Sequence, residues 1–311
     1  MSTVEVPRET TRAHYPDAEG YVERDGVRVF YEVYGHGSPT VMLLPTWSLV
    51  HSRFWKAQIA YLARHFRVVV FDGRGNGRSD RPAAAAAYSA VEFAHDAFAV
   101  MDATETEAVV NVSTSAGTTW NLLMAARQPE RVLGAAFLCP TTYAVAEPLP
   151  DWMHTPFNER LDGDAGATPY NRHFIRERYP EFARWWIELC TPEAHSSRSI
   201  EFGLEMAMET TPKVILATID AIEIDRFGSM AAAFRTFGPL LRELAAQVRC
   251  PALVIHGELD AACPGNSSQA LADDTGAELL VLPGTGHVPQ GRKPVAVNLA
   301  LRAFVERVAA G

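Results

Sequence analysis

Val109-Val110-Asn111-Val112-Ser113-Thr114-Ser115-Ala116-Gly117 is the stretch whose reading decides how this chain folds. A β-branched apolar run breaks into small residues and passes at once into the helical spacing of Trp120, Leu123 and Met124. The pattern reads as strand, tight turn, helix, with Ser115 at the tip. Strain at such an elbow holds a serine hydroxyl clear of the backbone, where a base and a carbonyl can both reach it. The positions two before and two after the tip must be small so that strand and helix pass closely. In the G-x-S-x-G form of this turn both are glycine; here the first is Ser113, so smallness is kept and one glycine is lost. Packing alone also places small residues between a strand and a helix, so the elbow needs support from elsewhere before it argues for chemistry.

That support comes from the C-terminal fifth. Leu253-Val254-Ile255 reads as a strand, followed by Gly257-Glu258-Leu259-Asp260, which puts an acid in the loop at its carboxyl end. Leu279-Leu280-Val281-Leu282 reads as the next strand, ended by Pro283-Gly284-Thr285-Gly286-His287. Serine, acid and histidine each follow a strand, and a parallel sheet gathers such loops at one edge. In this the sequence resembles the α/β-hydrolase superfamily, and the resemblance covers nearly the whole chain. It implies an α/β fold: a mostly parallel eight-stranded sheet flanked by helices, with a helical cap inserted.

Composition agrees with one large core. The chain has 311 residues, 48% of them hydrophobic, and a formal charge of −9. That charge argues against a nucleic-acid surface, which needs clustered Lys and Arg. No run reaches the length of a membrane span, and Met1-Ser2-Thr3-Val4-Glu5 lacks the basic start and apolar stretch of a signal peptide. Cys139, Cys190, Cys250 and Cys263 are scattered without metal-ligand spacing. They read as reduced thiols of a cytoplasmic protein, with no metal and no cofactor expected.

Along the chain, residues 1–19 read as a polar leader, and Tyr21–Arg24 with Val27–Val33 as a hairpin turning at Asp25-Gly26. Val41–Leu44 and Val68–Phe71 are continuous apolar strands suited to a sheet covered on both faces. Ser89-Ala90-Val91-Glu92 has capping-box spacing and opens a helix. Strand alternation stops after Leu138 and resumes at Leu253. The expected organisation is therefore 1–141 as the first part of the core, 142–239 as the helical cap and 240–311 as the second part. Inside the cap, Phe182, Trp185, Trp186 and Leu189 make an apolar stripe, and Thr211-Pro212 an N-cap with proline in the first turn. Pro239 is expected to restart the core.

The resemblance also assigns roles. Ser115 is the expected nucleophile; a free hydroxyl is a weak one and needs a base. His287, in a Gly-x-Gly-His loop like the family's catalytic-histidine loop, is the expected base, and Asp260 its orienting acid, preferred over Glu258 because it fits the family's G-x-x-D spacing. Where the family usually has His-Gly after the first parallel strand, this chain has Pro45-Thr46-Trp47. Alignment through Leu43-Leu44 makes the N–H groups of Trp47 and Ala116 the expected oxyanion hole, with Thr46 a further hydroxyl donor. The Trp47 side chain reads equally as a pocket wall or as an indole buried beneath the cap. Asp72-Gly73-Arg74-Gly75-Asn76-Gly77-Arg78-Ser79 fails the dinucleotide spacing and resembles the family's D-x-R-G-x-G-x-S turn.

The function expected is hydrolysis of a carboxylic ester or lactone. Thr46, Trp47, Trp152, Phe157 and Trp186 are the expected substrate-binding residues. Any one aromatic in the cap is more simply core than ligand contact, but together they favour a bulky, largely apolar substrate over short acyl groups or charged ones. No cluster of Lys accompanies them, which ranks a coenzyme A thioester below an oxygen ester. Two alternatives stand beside this: a carbon–carbon bond hydrolase with the same three residues, for which the cap offers arginines such as Arg172 and Arg198, and a non-catalytic small-molecule-binding module on the same fold.

Overall fold

The structure is a computed structural model and describes residues 14–141, 149–163, 165–263 and 265–311. Most of the polar leader and the first residues of the expected cap, 142–148, lie outside it. Eight strands form one sheet: β1 (Ala18–Arg24), β2 (Val27–Tyr34), β3 (Thr40–Leu43), β4 (Arg67–Phe71), β5 (Val109–Ser115), β6 (Val132–Pro140), β7 (Ala252–Gly257) and β8 (Glu278–Leu282). Their order is β1-β2-β4-β3-β5-β6-β7-β8. β1 and β2 pair antiparallel, as does β2 with β4; from β4 onward every pairing is parallel.

The helices that matter here are α1 (Lys56–Leu62), α2 (Ala90–Ala103), α3 (Gly117–Arg127), α4 (Asp151–His154), α5 (Arg172–Glu177), α6 (Tyr179–Cys190), α7 (Ser197–Ala207), α8 (Pro212–Asp220), α9 (Ile224–Phe227), α10 (Met230–Ala245), α11 (Gly265–Thr275), α12 (Pro289–Arg292) and α13 (Pro294–Ala310). The continuous apolar strands send alternate residues to opposite faces, and both faces are covered. Met42, Val69 and Phe71 join Phe93, Met101 and Met124 of α2 and α3. Val41, Val68 and Val70 join Ile59 and Leu62 of α1 and Leu301 and Phe304 of α13.

β3 runs to β4 on one side and the chain then returns across β3 to β5, so the strand order reverses between β3 and β5. A crevice opens at the carboxyl ends of strands where order reverses. The loop Pro45–Trp47 leaves β3 there, and Ser115 ends β5 there.

Local sequence explains the flanking elements. Ser89 caps α2 by accepting the Glu92 N–H at 3.4 Å. The reciprocal half of the capping box is missing because the Glu92 carboxylate is drawn to Arg24 instead. Thr211 caps α8 as its spacing suggests. The D-x-R-G-x-G-x-S segment is a structural turn: Asp72 accepts the N–H groups of Ser52 and Arg78 at 3.0 and 2.8 Å, and a side chain at Gly77 would strike it.

Helices α4 to α9 form a block with its own aromatic core of Trp152, Phe157, Tyr170, Phe174, Phe182 and Ile215. The boundary expected at 239/240 falls inside a continuous helix. Pro239 costs α10 one backbone hydrogen bond but does not end it, because each half is held by packing. Met230 and Ala231 join the aromatic core of the block, whereas Leu241 and Ala245 join Leu271 of α11 and Val254 of β7.

Candidate active site

Ser115 stands at the tip of β5 with φ +50°, the left-handed region that non-glycine residues enter only under constraint. The constraint is visible. A Cβ on Gly117 would lie 2.9 Å from the Pro45 carbonyl oxygen and 3.3 Å from Ser113 Cβ, so α3 could not begin so close to β5 with a larger residue there. Ser113, the departure from the two-glycine pattern, is fully buried. Its hydroxyl donates to the Ala136 carbonyl at 3.2 Å and accepts from Asn121 at 3.0 Å. The lost glycine has become a tie between β5, β6 and α3.

His287 follows β8, and its Nδ1 lies 2.7 Å from Asp260 Oδ2. The other carboxylate oxygen of Asp260 accepts the N–H groups of Ala262 and Cys263, both at 2.9 Å. Two loops must nearly touch for this, and Gly257 permits it: a Cβ there would sit 2.0 Å from the Gly286 carbonyl oxygen. Glu258 is occupied elsewhere, accepting the Gly284 N–H at 2.8 Å. Burial works against an imidazolium at His287, but the Asp260 carboxylate outweighs it and holds the imidazole well above its usual range. Burial alone would raise the Asp260 carboxyl; the His287 charge holds it below the ordinary carboxylate range.

The histidine loop is also held from the helical block. The His287 N–H donates to the Cys190 carbonyl at 3.0 Å, and the Gly286 N–H to Glu193 Oε1 at 2.7 Å. The Glu193 side chain is 7% exposed, its Oε2 has no partner among the described residues, and Arg292 of α12 stands 3.7 Å from Oε1.

Ser115 and His287 line one cavity of about 300 Å³, together with Thr46, Trp47 and Trp186. The Pro45 carbonyl accepts the Trp120 indole N–H at 2.9 Å, fixing the loop after β3 against α3. Neither the Trp47 nor the Ala116 N–H has an acceptor among the described residues. Thr46 Oγ1 is buried and has no partner among the described residues. The Trp47 side chain is both things the sequence allowed. It faces the cavity, and its indole donates to Thr218 of α8 at 2.7 Å and meets Trp186 edge-on at 5.2 Å.

Trp152 and Phe157 are not in the cavity wall. Phe157 is fully buried in the aromatic core of the block, and Trp152 beside Tyr170 donates its indole N–H to the Ala262 carbonyl at 3.2 Å. A helix of this block has more than one buried side, and spacing alone does not say which side meets the cavity. The wall is completed instead by Lys56 at the start of α1 and by Arg198, Ser199, Phe202, Gly203 and Met206 of α7. The α7 residues recur at the spacing of one helix face, the signal that was available in the sequence.

Among the described residues, the His, Cys and carboxylate groups close enough to share a metal are Cys139, Asp260 and His287, within 4.8 Å. They suit one poorly. Asp260 and His287 are bonded to each other, and burial pushes the Cys139 thiol up to about 12.

Comparison with known proteins adds to this geometry. A family model for the alpha/beta hydrolase fold matches residues 39–294. The bifunctional esterase/perhydrolase DCH of Acinetobacter calcoaceticus is 24% identical over 312 residues, covering 92% of this chain and 99% of its own. Among solved structures, Est816, described as an N-acyl homoserine lactone degrading enzyme, superposes with a TM-score of 0.72 at 28% identity, covering 92% of this chain and all of its own. The enol-lactonase from Burkholderia xenovorans LB400 has a TM-score of 0.72 at 20% identity, over 92% of this chain and all of its own, and speaks to the fold alone.

Proposed function

The chain belongs to the alpha/beta-hydrolase fold family, and from that premise we propose that it is a cofactor-independent serine hydrolase cleaving a carboxylic ester or lactone of a bulky, largely apolar small molecule. One observation carries the reading. A serine strained into the left-handed region and a histidine paired with a buried carboxylate line the same cavity. The names of the esterase/perhydrolase and the lactone-degrading enzyme point the same way.

In this mechanism Ser115 Oγ attacks the substrate carbonyl carbon while His287 Nε2 takes its proton, and Asp260 stabilises the imidazolium through Nδ1. The negative charge that develops on the carbonyl oxygen is met by the N–H groups of Trp47 and Ala116, with Thr46 Oγ1 as a further donor. Each such donor is worth about 2.7–4 kcal/mol in the transition state. Collapse expels the alkoxide, which takes the proton from His287 and leaves an acyl ester on Ser115. A water molecule, deprotonated by His287, repeats the sequence and releases the acid. Helices α4 to α9 serve as the cap, excluding bulk water and presenting Trp186 and Phe202 to the substrate.

A fluorophosphonate probe followed by peptide mass spectrometry tests the assignment. The expected adduct is on Ser115, and Ser115→Ala should abolish ester turnover with its unfolding transition unchanged. An adduct on another serine, or full activity in the alanine variant, overturns it.

A further inference from the structure

The cavity is charged in the opposite sense to the chain. The sequence has 37 Asp and Glu against 28 Lys and Arg. Yet among the described residues the cavity wall holds no carboxylate, while Lys56 and Arg198 are both part of it. Their surroundings differ. Arg198 is bonded along α7 to Glu201 at 2.8 Å, and neighbouring Arg53 is bonded to Glu209. The Lys56 ammonium lies 3.5 Å from the centre of the Phe202 ring and has no ion-pair partner among the described residues.

A lysine on an apolar wall often does no more than cover it with its stem while the head stays in water. Lys56 is partly buried, and its head rests on an aromatic face rather than in open solvent. Burial lowers its pKa; Glu205 pulls the other way, and Arg53 and Arg198 add to the lowering. A ring face compensates lost hydration only in part. The cation is therefore under-solvated, and an anion entering the cavity would restore what burial removed.

We infer that Lys56 is a carboxylate-binding subsite, so that the substrate is an ester or lactone carrying a free carboxylate away from the bond that is cleaved. The inference rests on the hydrolase reading and names the substrate class of that site. Trp47, Trp186 and Phe202 take the apolar body of the molecule, and the α1–α7 side of the wall takes its acid group. This departs from the expectation that charged substrates are disfavoured. That expectation came from aromatics between residues 152 and 186, and nothing in the sequence placed Lys56 against Phe202.

Two matched pairs of esters test it. On the acyl side, 4-nitrophenyl hydrogen adipate is compared with 4-nitrophenyl hexanoate; on the alcohol side, 3-carboxyphenyl butyrate is compared with phenyl butyrate. In at least one pair the anionic ester should have the higher kcat/KM by about tenfold, the usual worth of a hydrogen bond to a charged group. The preference should fall as salt is raised. Lys56→Met, which keeps the apolar stem, should erase the preference, read as the ratio of kcat/KM between the two esters of a pair in the same variant. Preference for the neutral ester in both pairs, or an anionic preference that survives in Lys56→Met, overturns the subsite. Failure to hydrolyse any of the four, with no fluorophosphonate adduct, overturns the hydrolase reading itself; neutral esters cleaved without an anionic preference leave that reading standing and remove this one.

Discussion

At the scale of single residues, the candidate site separates two carboxylates that the sequence placed side by side. Asp260 touches His287 and Glu258 does not. Asp260→Asn should therefore lower kcat by about 10⁴, the loss seen when such an acid is neutralised in serine proteases, whereas Glu258→Gln should keep most of the activity in the same ester assay. The pH profile follows from the same pair. Because Asp260 raises the His287 pKa, the proposed base is free only above that raised value, so the rising limb of kcat/KM against pH should lie above 6.5 and move down in Asp260→Asn. Ser115, Asp260 and His287 were legible because each follows an apolar strand. Ser113 was legible only as a small residue; its bonds to Ala136 and Asn121 depend on β6 lying beside β5, which no local pattern states.

At the scale of elements, all eight strands could be read: the first two as the arms of a hairpin turning at Asp25-Gly26, the others as short apolar runs, most of them bounded by turn residues. The helical block was legible as helices but not as surfaces. Its stripe at Phe182, Trp185, Trp186 and Leu189 divides its work: Phe182 is buried in the block, while Trp186 reaches the cavity. The placement of Phe157 makes the distinction measurable. Phe157→Ala should destabilise the protein by about 3–5 kcal/mol in chemical denaturation, as large-to-small changes in a packed core do, with the ranking of ester substrates unchanged. Trp186→Ala should do the reverse, raising KM for large esters with a smaller loss of stability. The run of α10 through Pro239 was hidden for a related reason, since the packing that keeps the helix intact comes from distant parts of the chain.

At the scale of the whole molecule, the helical block is tied to the sheet by a charged cluster around the buried His51. His51, beside α1, stands 3.5 Å from Asp72 after β4 and 3.4 Å from Glu209 after α7. Burial opposes its protonation, but the two carboxylates prevail and raise its pKa to about 9. A histidine raised on folding lends stability that is fully present below its unfolded value near 6.5 and is lost as pH rises through the folded value. The thermal midpoint should thus fall between about pH 6.5 and 9, by a stability loss on the order of 3 kcal/mol. His287 contributes with the same sign, so His51→Gln should flatten the slope in part rather than abolish it. An unchanged slope in that variant would remove His51 from the account. The second tie has a different consequence. Cys190 and Glu193, which belong to the helical block, grip the backbone of the histidine loop. Were the block to lift to admit a substrate, those two acceptors would leave with it, so the proposed base would lose its hold in the open form and regain it only on closure over a guest. Glu193→Ala, which cuts one of the two links, should depress kcat far more than it alters KM, and a variant that loses affinity with kcat intact would show that the latch and the trigger are separate parts.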